Sequence, residues 1–249
     1  MTDMERFTEM VRAHKRIVFF GGAGVSTESN IPDFRGAGGM YQQKNDLPWT
    51  PEEMLSHHFY EEYPEEFFKM FKNWDELMMA ARPNRAHYAL AALERMGKLS
   101  AVVTQNIDGL HQRAGSRAVY ELHGSILRNT CTKCGAPYDI ETFLSLCTPV
   151  PHCPKCGGIV KPDVVLYEES LDMDVIREAV DAIAAADMLI VGGTSLVVYP
   201  AAGFIDYFEG DDLVLINRDP TPKDDKAALV LRNSVGEALE TAAEALEGR

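Results

Sequence analysis

Four cysteines arranged as two Cys-x-x-Cys pairs, Cys131/Cys134 and Cys153/Cys156, constrain this chain more than any other feature. Each pair puts two thiols on one tight turn, and four thiols at this separation can close a tetrahedral shell around zinc. Gly135 and Gly157 follow the second thiol of each pair, where backbone amides can approach sulfur. Two reactive dithiols, or four buried cysteines, are the alternatives. Four sulfur ligands fill zinc's coordination and leave no position for water, so a metal held this way is structural, one per chain. Cys147 and His152 lie outside the paired spacing and are either bystanders or substitute ligands.

A second constraint comes near the start. The apolar run Ile17–Phe20 leads directly into Gly21-Gly22-Ala23-Gly24-Val25-Ser26-Thr27-Glu28. A Gly-x-Gly turn after an apolar strand lets a backbone approach a pyrophosphate, and the hydroxyl and acidic residues behind it suit a helix start. This is half of a Rossmann fingerprint, without the third glycine, and by itself it is equally a tight turn. No acidic residue ends a second strand at the usual distance to hold an adenosine ribose. Recognition of a dinucleotide therefore has to use other loops, for which Gly193-Thr194-Ser195 and Asn217, each just past a strand end, are candidates. A turn or cap role is the alternative for each.

Short runs rich in Val and Ile recur along the chain: Arg16–Phe20, Ser100–Thr104, Val119–Leu122, Met188–Val191 and Leu213–Ile216. They predict strands of a parallel sheet, buried on both faces. Helical patterns separate them. Met4, Phe7, Met10 and Val11 share a face near the N-terminus. Asn84 caps a helix faced by Ala86, Leu90, Leu93 and Met96 and ended by Gly97, and the segment from Gly236 to Leu246 closes the chain. The predicted class is α/β, a Rossmann-like doubly wound parallel sheet with a smaller zinc-binding and helical domain formed by two insertions. Residues 1–36, 83–129 and 162–249 make the larger domain. Residues 37–82, rich in aromatics, and 130–161, holding the cysteines, make the smaller one.

The net charge of −14 and pI near 4.9 oppose nucleic acid as a direct partner and suit basic peptides. Residues 188–205 are uncharged and reach the lower limit of a membrane span, but Gly192-Gly193-Thr194-Ser195 and Pro200 interrupt them, which predicts a buried strand, a polar turn and a helix. With no signal-peptide pattern at the N-terminus, the expectation is a cytoplasmic, soluble monomer whose thiols stay reduced.

Three polar clusters carry the chemistry. Asp33-Phe34-Arg35 puts an acid, an aromatic ring and a guanidinium on a short loop. Gln105-Asn106-Ile107-Asp108 ends a buried strand, and His123 follows the strand at 119–122. Singly, His123 can be a structural histidine and the second cluster a capping turn. Jointly they bring a base, amides and a carboxylate to strand ends facing one crevice.

The segments Gly-Ala-Gly-Val-Ser (22–26), Ile-Pro-Asp-Phe-Arg-Gly (31–36), Thr-Gln-Asn-Ile-Asp-Gly-Leu-His (104–111), Leu-His-Gly (122–124), Lys-Pro-Asp-Val-Val-Leu-Tyr (161–167) and Gly-Thr-Ser (193–195), with the four cysteines, resemble the sirtuins. These are NAD-dependent protein lysine deacylases, and the likeness is greatest to their bacterial deacetylase branch, from about residue 12 to 235. The resemblance implies an enzyme that transfers the acetyl group of acetyl-lysine to ADP-ribose and releases nicotinamide. Removal of longer acyl chains and ADP-ribosyl transfer are the alternatives. It implies His123 as general base on a ribose hydroxyl, with Asn106 also catalytic, positioning ribose and water with Ser26. Dinucleotide contacts are implied for Gly22, Ala23, Gly24, Ser26, Thr27, Asp33, Phe34, Arg35, Gln105, Asn106, Ile107, Asp108, His123, Gly193, Thr194, Ser195, Asn217 and Val235. The acyl peptide is implied to run along Val164, Val165, Tyr167 and Val197.

Two departures stand out. Tyr167-Glu168-Glu169 replaces the commoner Phe-Gly-Glu. Phe68-Lys69-Met70-Phe71 stands where sirtuins selective for acidic acyl groups carry Tyr-x-x-Arg, so a non-acidic acyl group is expected.

Overall fold

A computed structural model describes residues 1–33 and 48–248; the site candidates Phe34 and Arg35 lie outside the described residues. The central strand is Ile17–Gly21 (β1), buried at every position. It pairs in parallel with Leu99–Thr104 (β2) on one side and Met188–Gly192 (β7) on the other. Val119–Glu121 (β3) extends the sheet beyond β2, and Leu213–Ile216 (β8) and Leu229–Leu231 (β9) extend it beyond β7. The order β3-β2-β1-β7-β8-β9 makes the boundary between β1 and β7 the switch point, where successive connections leave in opposite directions and a crevice opens.

Alternation along β1 divides the core between the two faces of this sheet. Ile17 and Phe19 point to a layer made by Asp3–Ala13 (α1), Arg85–Arg95 (α5) and Val235–Glu247 (α9). Val18 and Phe20 point to the layer of Met173–Ala184 (α8) and the 3-10 turns of Ala201–Tyr207. The helix ends follow local chemistry. Thr2 and Glu5 form a reciprocal capping box on α1, and the Asn84 side chain accepts from the Ala86 amide at the start of α5. Gly97, at φ +70°, turns the chain out behind α5 as expected.

The second sheet is antiparallel, with Gly124–Cys131 (β4) between Pro137–Asp139 (β5) and Val160–Val164 (β6). Pro51–Met54 (α2), His57–Glu62 (α3), Pro64–Ala80 (α4) and Ile140–Leu146 (α7) pack with it around Phe67, Phe68, Phe71, Phe143 and Ile126.

Three expectations need correction. β3 is only half-buried, because it is the edge of the six-stranded sheet and has a neighbour on one side alone. The turn after β1 does not become an α-helix. It makes two 3-10 turns, Ala23–Val25 and Thr27–Ser29, ended by Asn30 in the left-handed region. The segment after β7 likewise winds as 3-10 rather than α. Among the described residues no helix is long and apolar enough to cross a membrane.

Candidate active site and metal centre

The four paired thiols converge. Cys131, Cys134, Cys153 and Cys156 present sulfurs all within 4.8 Å of one another, with Cys131 Sγ 3.5 Å from Cys156 Sγ and Cys134 Sγ 3.7 Å from Cys153 Sγ. These distances exclude disulfides, whose sulfurs lie about 2 Å apart. They suit a tetrahedron of zinc–sulfur bonds of about 2.3 Å, whose corners are roughly 3.8 Å apart. The donor set therefore fits a closed structural site. Gly135 and Gly157 act differently from expectation: their amides donate to the carbonyls of Cys131 and Cys153 and close each turn, at φ +69° and +72°. The amides that reach sulfur belong to Lys133, Cys134, Lys155, Cys156 and Gly158. Cys147 is buried in the neighbouring core and His152 approaches the Gly157 carbonyl, so neither joins the cluster.

A cavity of about 380 Å³ fills the crevice at the carboxyl ends of β1, β2 and β7, facing the second sheet. Of the predicted residues, Ala23, Gly24, Ser26, Asp33, the 105–108 run, His123, Gly193, Thr194, Ser195, Asn217, Val164, Val165 and Tyr167 line it. Among the described residues, the other four do not. Gly22 and Thr27 support the turn, the Thr27 hydroxyl donating to the Gly24 carbonyl at 3.0 Å. Val235 is buried in the core where α9 begins, and Val197 is 48 % exposed outside the cavity, with Val198 lining it instead.

Glycine is required where the β1 and β7 loops meet. The Gly24 amide donates to the Gly193 carbonyl at 2.8 Å, and a Cβ on Gly24 would lie 2.7 Å from the Gly193 Cα. Behind this contact, Ser26 Oγ donates to Asp108 Oδ2 (2.7 Å), Asn106 Nδ2 donates to Ser26 Oγ (3.1 Å) and the Leu110 amide donates to Asp108 Oδ1 (2.9 Å). Burial pushes the Asp108 carboxyl up, against the pull of the Ser26 and Leu110 bonds. Gln105 accepts from the Thr194 hydroxyl, while its Nε2 is a buried donor with no partner among the described residues.

His123 Nδ1 lies 3.0 Å from the Gln105 carbonyl. A carbonyl only accepts, so Nδ1 carries the proton and Nε2 holds the lone pair. Burial lowers the pKa of this imidazole, partly offset by the Gln105 bond, and so favours the neutral form.

The opposite wall is apolar, made by Leu55, Phe71, Trp74, Leu77 and Met78 with Ile107 and Leu166. Its position depends on a latch that no linear motif announces. Glu169 accepts from the Leu166 amide (2.9 Å), Lys161 Nζ (3.2 Å) and His57 Nδ1 (2.9 Å), tying the end of β6 to α3. Burial pushes the Glu169 carboxyl up, but these three donors outweigh it and hold it below its ordinary value.

A doubly wound sheet whose switch-point crevice faces a module built on a four-thiol cluster defines a class of protein, and comparison with known proteins gives the class its name. The sequence profile of the Sir2 family matches residues 22–200. An NAD-dependent protein deacetylase of Clostridium perfringens is 59 % identical over 237 residues, covering 95 % of this chain and 96 % of its own. One of Clostridium acetobutylicum is 58 % identical over 233 residues, covering 94 % and 95 %. Among solved structures, a Sir2–p53 peptide–NAD+ complex is 37 % identical with a TM-score of 0.88 and full coverage of both chains. A Sir2 homolog–NAD complex, also 37 % identical, has a TM-score of 0.88 and covers 98 % of this chain and 94 % of its own. The chain belongs to the Sir2 family.

Proposed function

We propose that this protein is an NAD-dependent protein lysine deacetylase. The observation that carries the reading is the neutral His123 facing a crevice with an orphaned amide donor, Gln105 Nε2, and a glycine-lined floor. Such a floor suits a pyrophosphate, and the orphaned donor suits a ligand acceptor, so the residues fit a dinucleotide. When bound, NAD supplies an activated ribose carbon and takes up the acetyl group, leaving free lysine, nicotinamide and O-acetyl-ADP-ribose.

In this reading His123 Nε2 takes the proton from a ribose hydroxyl while Nδ1 stays on the Gln105 carbonyl. Asp108, with the Ile107 backbone, holds the nicotinamide carboxamide, and Ser26 and Asn106 place ribose and water. Thr194, Ser195 and Asn217 hold the remainder of the dinucleotide. The acyl peptide lies along Val164–Tyr167, with its acyl group against Phe71, Trp74 and Met78. Zinc on the four cysteines is structural. We also infer the division into a larger domain (1–36, 83–129, 162–249) and a smaller one (37–82, 130–161), with a monomeric, cytoplasmic protein as the working form. A second reading, removal of longer acyl chains, rests on the extent of that apolar wall.

Mass spectrometry of an acetyl-lysine peptide with and without NAD tests the class: loss of 42 Da only with NAD (about the mass of one acetyl group), alongside O-acetyl-ADP-ribose, is expected. NAD-independent loss refutes it. His123→Ala is expected to lower kcat by about 10²–10⁴-fold while calorimetric NAD binding persists. In the wild type, kcat/KM should be flat near neutrality and fall only as pH drops through a value below 6.5, because burial keeps His123 neutral there. An acid limb above 6.5 would contradict that environment.

A further inference from the structure

A second recess, of about 420 Å³, lies on the far side of the peptide wall, and no role in the proposed reaction accounts for it. Its aromatic side is built by Trp49, Phe59 and Tyr63. Their ring centroids are 5.0–5.2 Å apart pairwise, with Trp49 edge-on to Phe59 and tilted 51° to Tyr63. Tyr63 is 41 % exposed. The carboxylates at its rim belong to Glu52, Glu62 and Glu168. Glu53 also borders it; its carboxylate accepts from the Thr50 amide and hydroxyl in the α2 capping box, as Glu168 accepts from the His58 amide and Glu62 pairs with the His58 ring. No lysine or arginine lines the recess among the described residues, and its one basic group, His58, is paired to Glu62 at 3.3 Å.

This composition selects its ligand. A phosphate or carboxylate would meet three carboxylates. The carboxylates do not converge on one point as a divalent metal needs, since among the described residues only the four cysteines bring three or more candidate ligand atoms together. A guanidinium or ammonium group finds the half-buried Trp49 ring, the exposed Tyr63 ring and the opposite charge that it prefers, and the planar guanidinium can also stack.

Placement selects the source of that cation. Tyr167 and Glu168 line the recess on one side and the crevice on the other. This partition is stitched to α3, with the Tyr167 amide donating to the Leu55 carbonyl and the His57 amide to the Tyr167 carbonyl, each at 3.0 Å. The His58 amide donates to Glu168 Oε2 at 3.0 Å. A chain lying along Val164–Tyr167 therefore passes beside the recess, and the net charge of −14 favours basic segments.

We propose that the recess binds a cationic side chain of the acylated polypeptide itself, arginine in preference to lysine, at a position flanking the acetyl-lysine. This inference rests on the deacetylase reading for the identity of its substrate, but not for the binding of the cation.

The test has two arms that separate those dependencies. The chain has two tryptophans, so Trp74→Phe leaves Trp49 as the sole indole reporter. Titrating this protein with Nα-acetyl-arginine amide should change Trp49 emission saturably. The uncharged citrulline amide should bind about two- to fivefold more weakly, the range of an exposed cation–π contact. Adding Glu52→Gln and Glu62→Gln should remove the difference. In the second arm, with Trp74 intact, acetyl-lysine peptides carry arginine or citrulline at each flanking position in turn. At one position arginine should lower KM about fivefold with kcat unchanged, and the ratio should approach one in the double glutamine variant and in high salt. Equal binding of the two amides overturns the proposal, as does a KM ratio that survives the glutamine substitutions. If Trp49 distinguishes the amides but no peptide is turned over with NAD, the recess stands as a cation site and the deacetylase reading falls.

Discussion

The six-stranded sheet and the three-stranded sheet bury their residues by different means. In the first, Ile17, Phe19 and Ile190 on one face and Val18, Phe20 and Val191 on the other are covered by helices, and apolar area alone can supply the driving force. In the second, β5 is three residues long and mostly exposed, and the buried cluster of Phe67, Phe68, Phe71 and Phe143 takes in Cys131 and Cys153, two of the four paired thiols. The sulfurs of that module sit where a metal can close them. One sheet thus provides the rigid carboxyl edge on which a ligand rests. The other provides an opposite wall whose shape depends on a cross-link.

Removing the metal should separate the two most sharply. Structural zinc contributes about 10–16 kcal/mol of apparent binding free energy in small modules. Chelation, or Cys131→Ser, is expected to abolish turnover and hydrogen-exchange protection over residues 124–164, while β1 and β7 amides stay protected. One zinc per chain and a wild-type melting curve in Cys131→Ser would erase the contrast. Phe19→Ala probes the other side. It removes a fully buried ring from the central strand and should cost about 3–5 kcal/mol in global unfolding, with zinc content unchanged. The smallest effect concerns the small module's own inconsistency. Asp75 on α4 is fully buried, has no partner among the described residues, and is pushed by burial up to about 8. The native state therefore keeps a proton that the unfolded chain releases near 3.8, and stability falls as pH rises between those values. Asp75→Leu should gain about 1–3 kcal/mol near neutrality, with the advantage widening from pH 4 to 8. Parallel melting curves for variant and wild type across that range would mean the carboxyl has a partner.

The same contrast explains what the sequence made legible. The parallel strands announced themselves because both faces are buried, leaving unbroken Val and Ile runs, and the cysteines because metal geometry demands fixed spacing. β9, three residues long, and β4, which mixes Ser125, Arg128, Asn129 and Thr130 with apolar residues, carry no such run. The crevice edge was readable because Gly22–Ser26 and Gln105–Asp108 are each contiguous in sequence. The Glu169 latch and the aromatic recess were not, since they join α2 and α3 to residues more than a hundred positions later, and no local pattern encodes that meeting. The helical segment after β1 is short for a local reason: Asn30 enters the left-handed region and ends the two 3-10 turns.

β4 begins beside His123 and ends on Cys131. It is an eight-residue spacer between the crevice histidine and a sulfur anchor, with its pairing to β6 shifted between Ser125 and Asn129. Inserting or deleting a residue beyond that shift, between Asn129 and Cys131, would turn the later side chains to the opposite side and carry the anchor out of alignment. Length variation among related chains is therefore expected to collect in the stretch between α7 and Cys153, which spans no such pair of fixed points, and to spare this ruler.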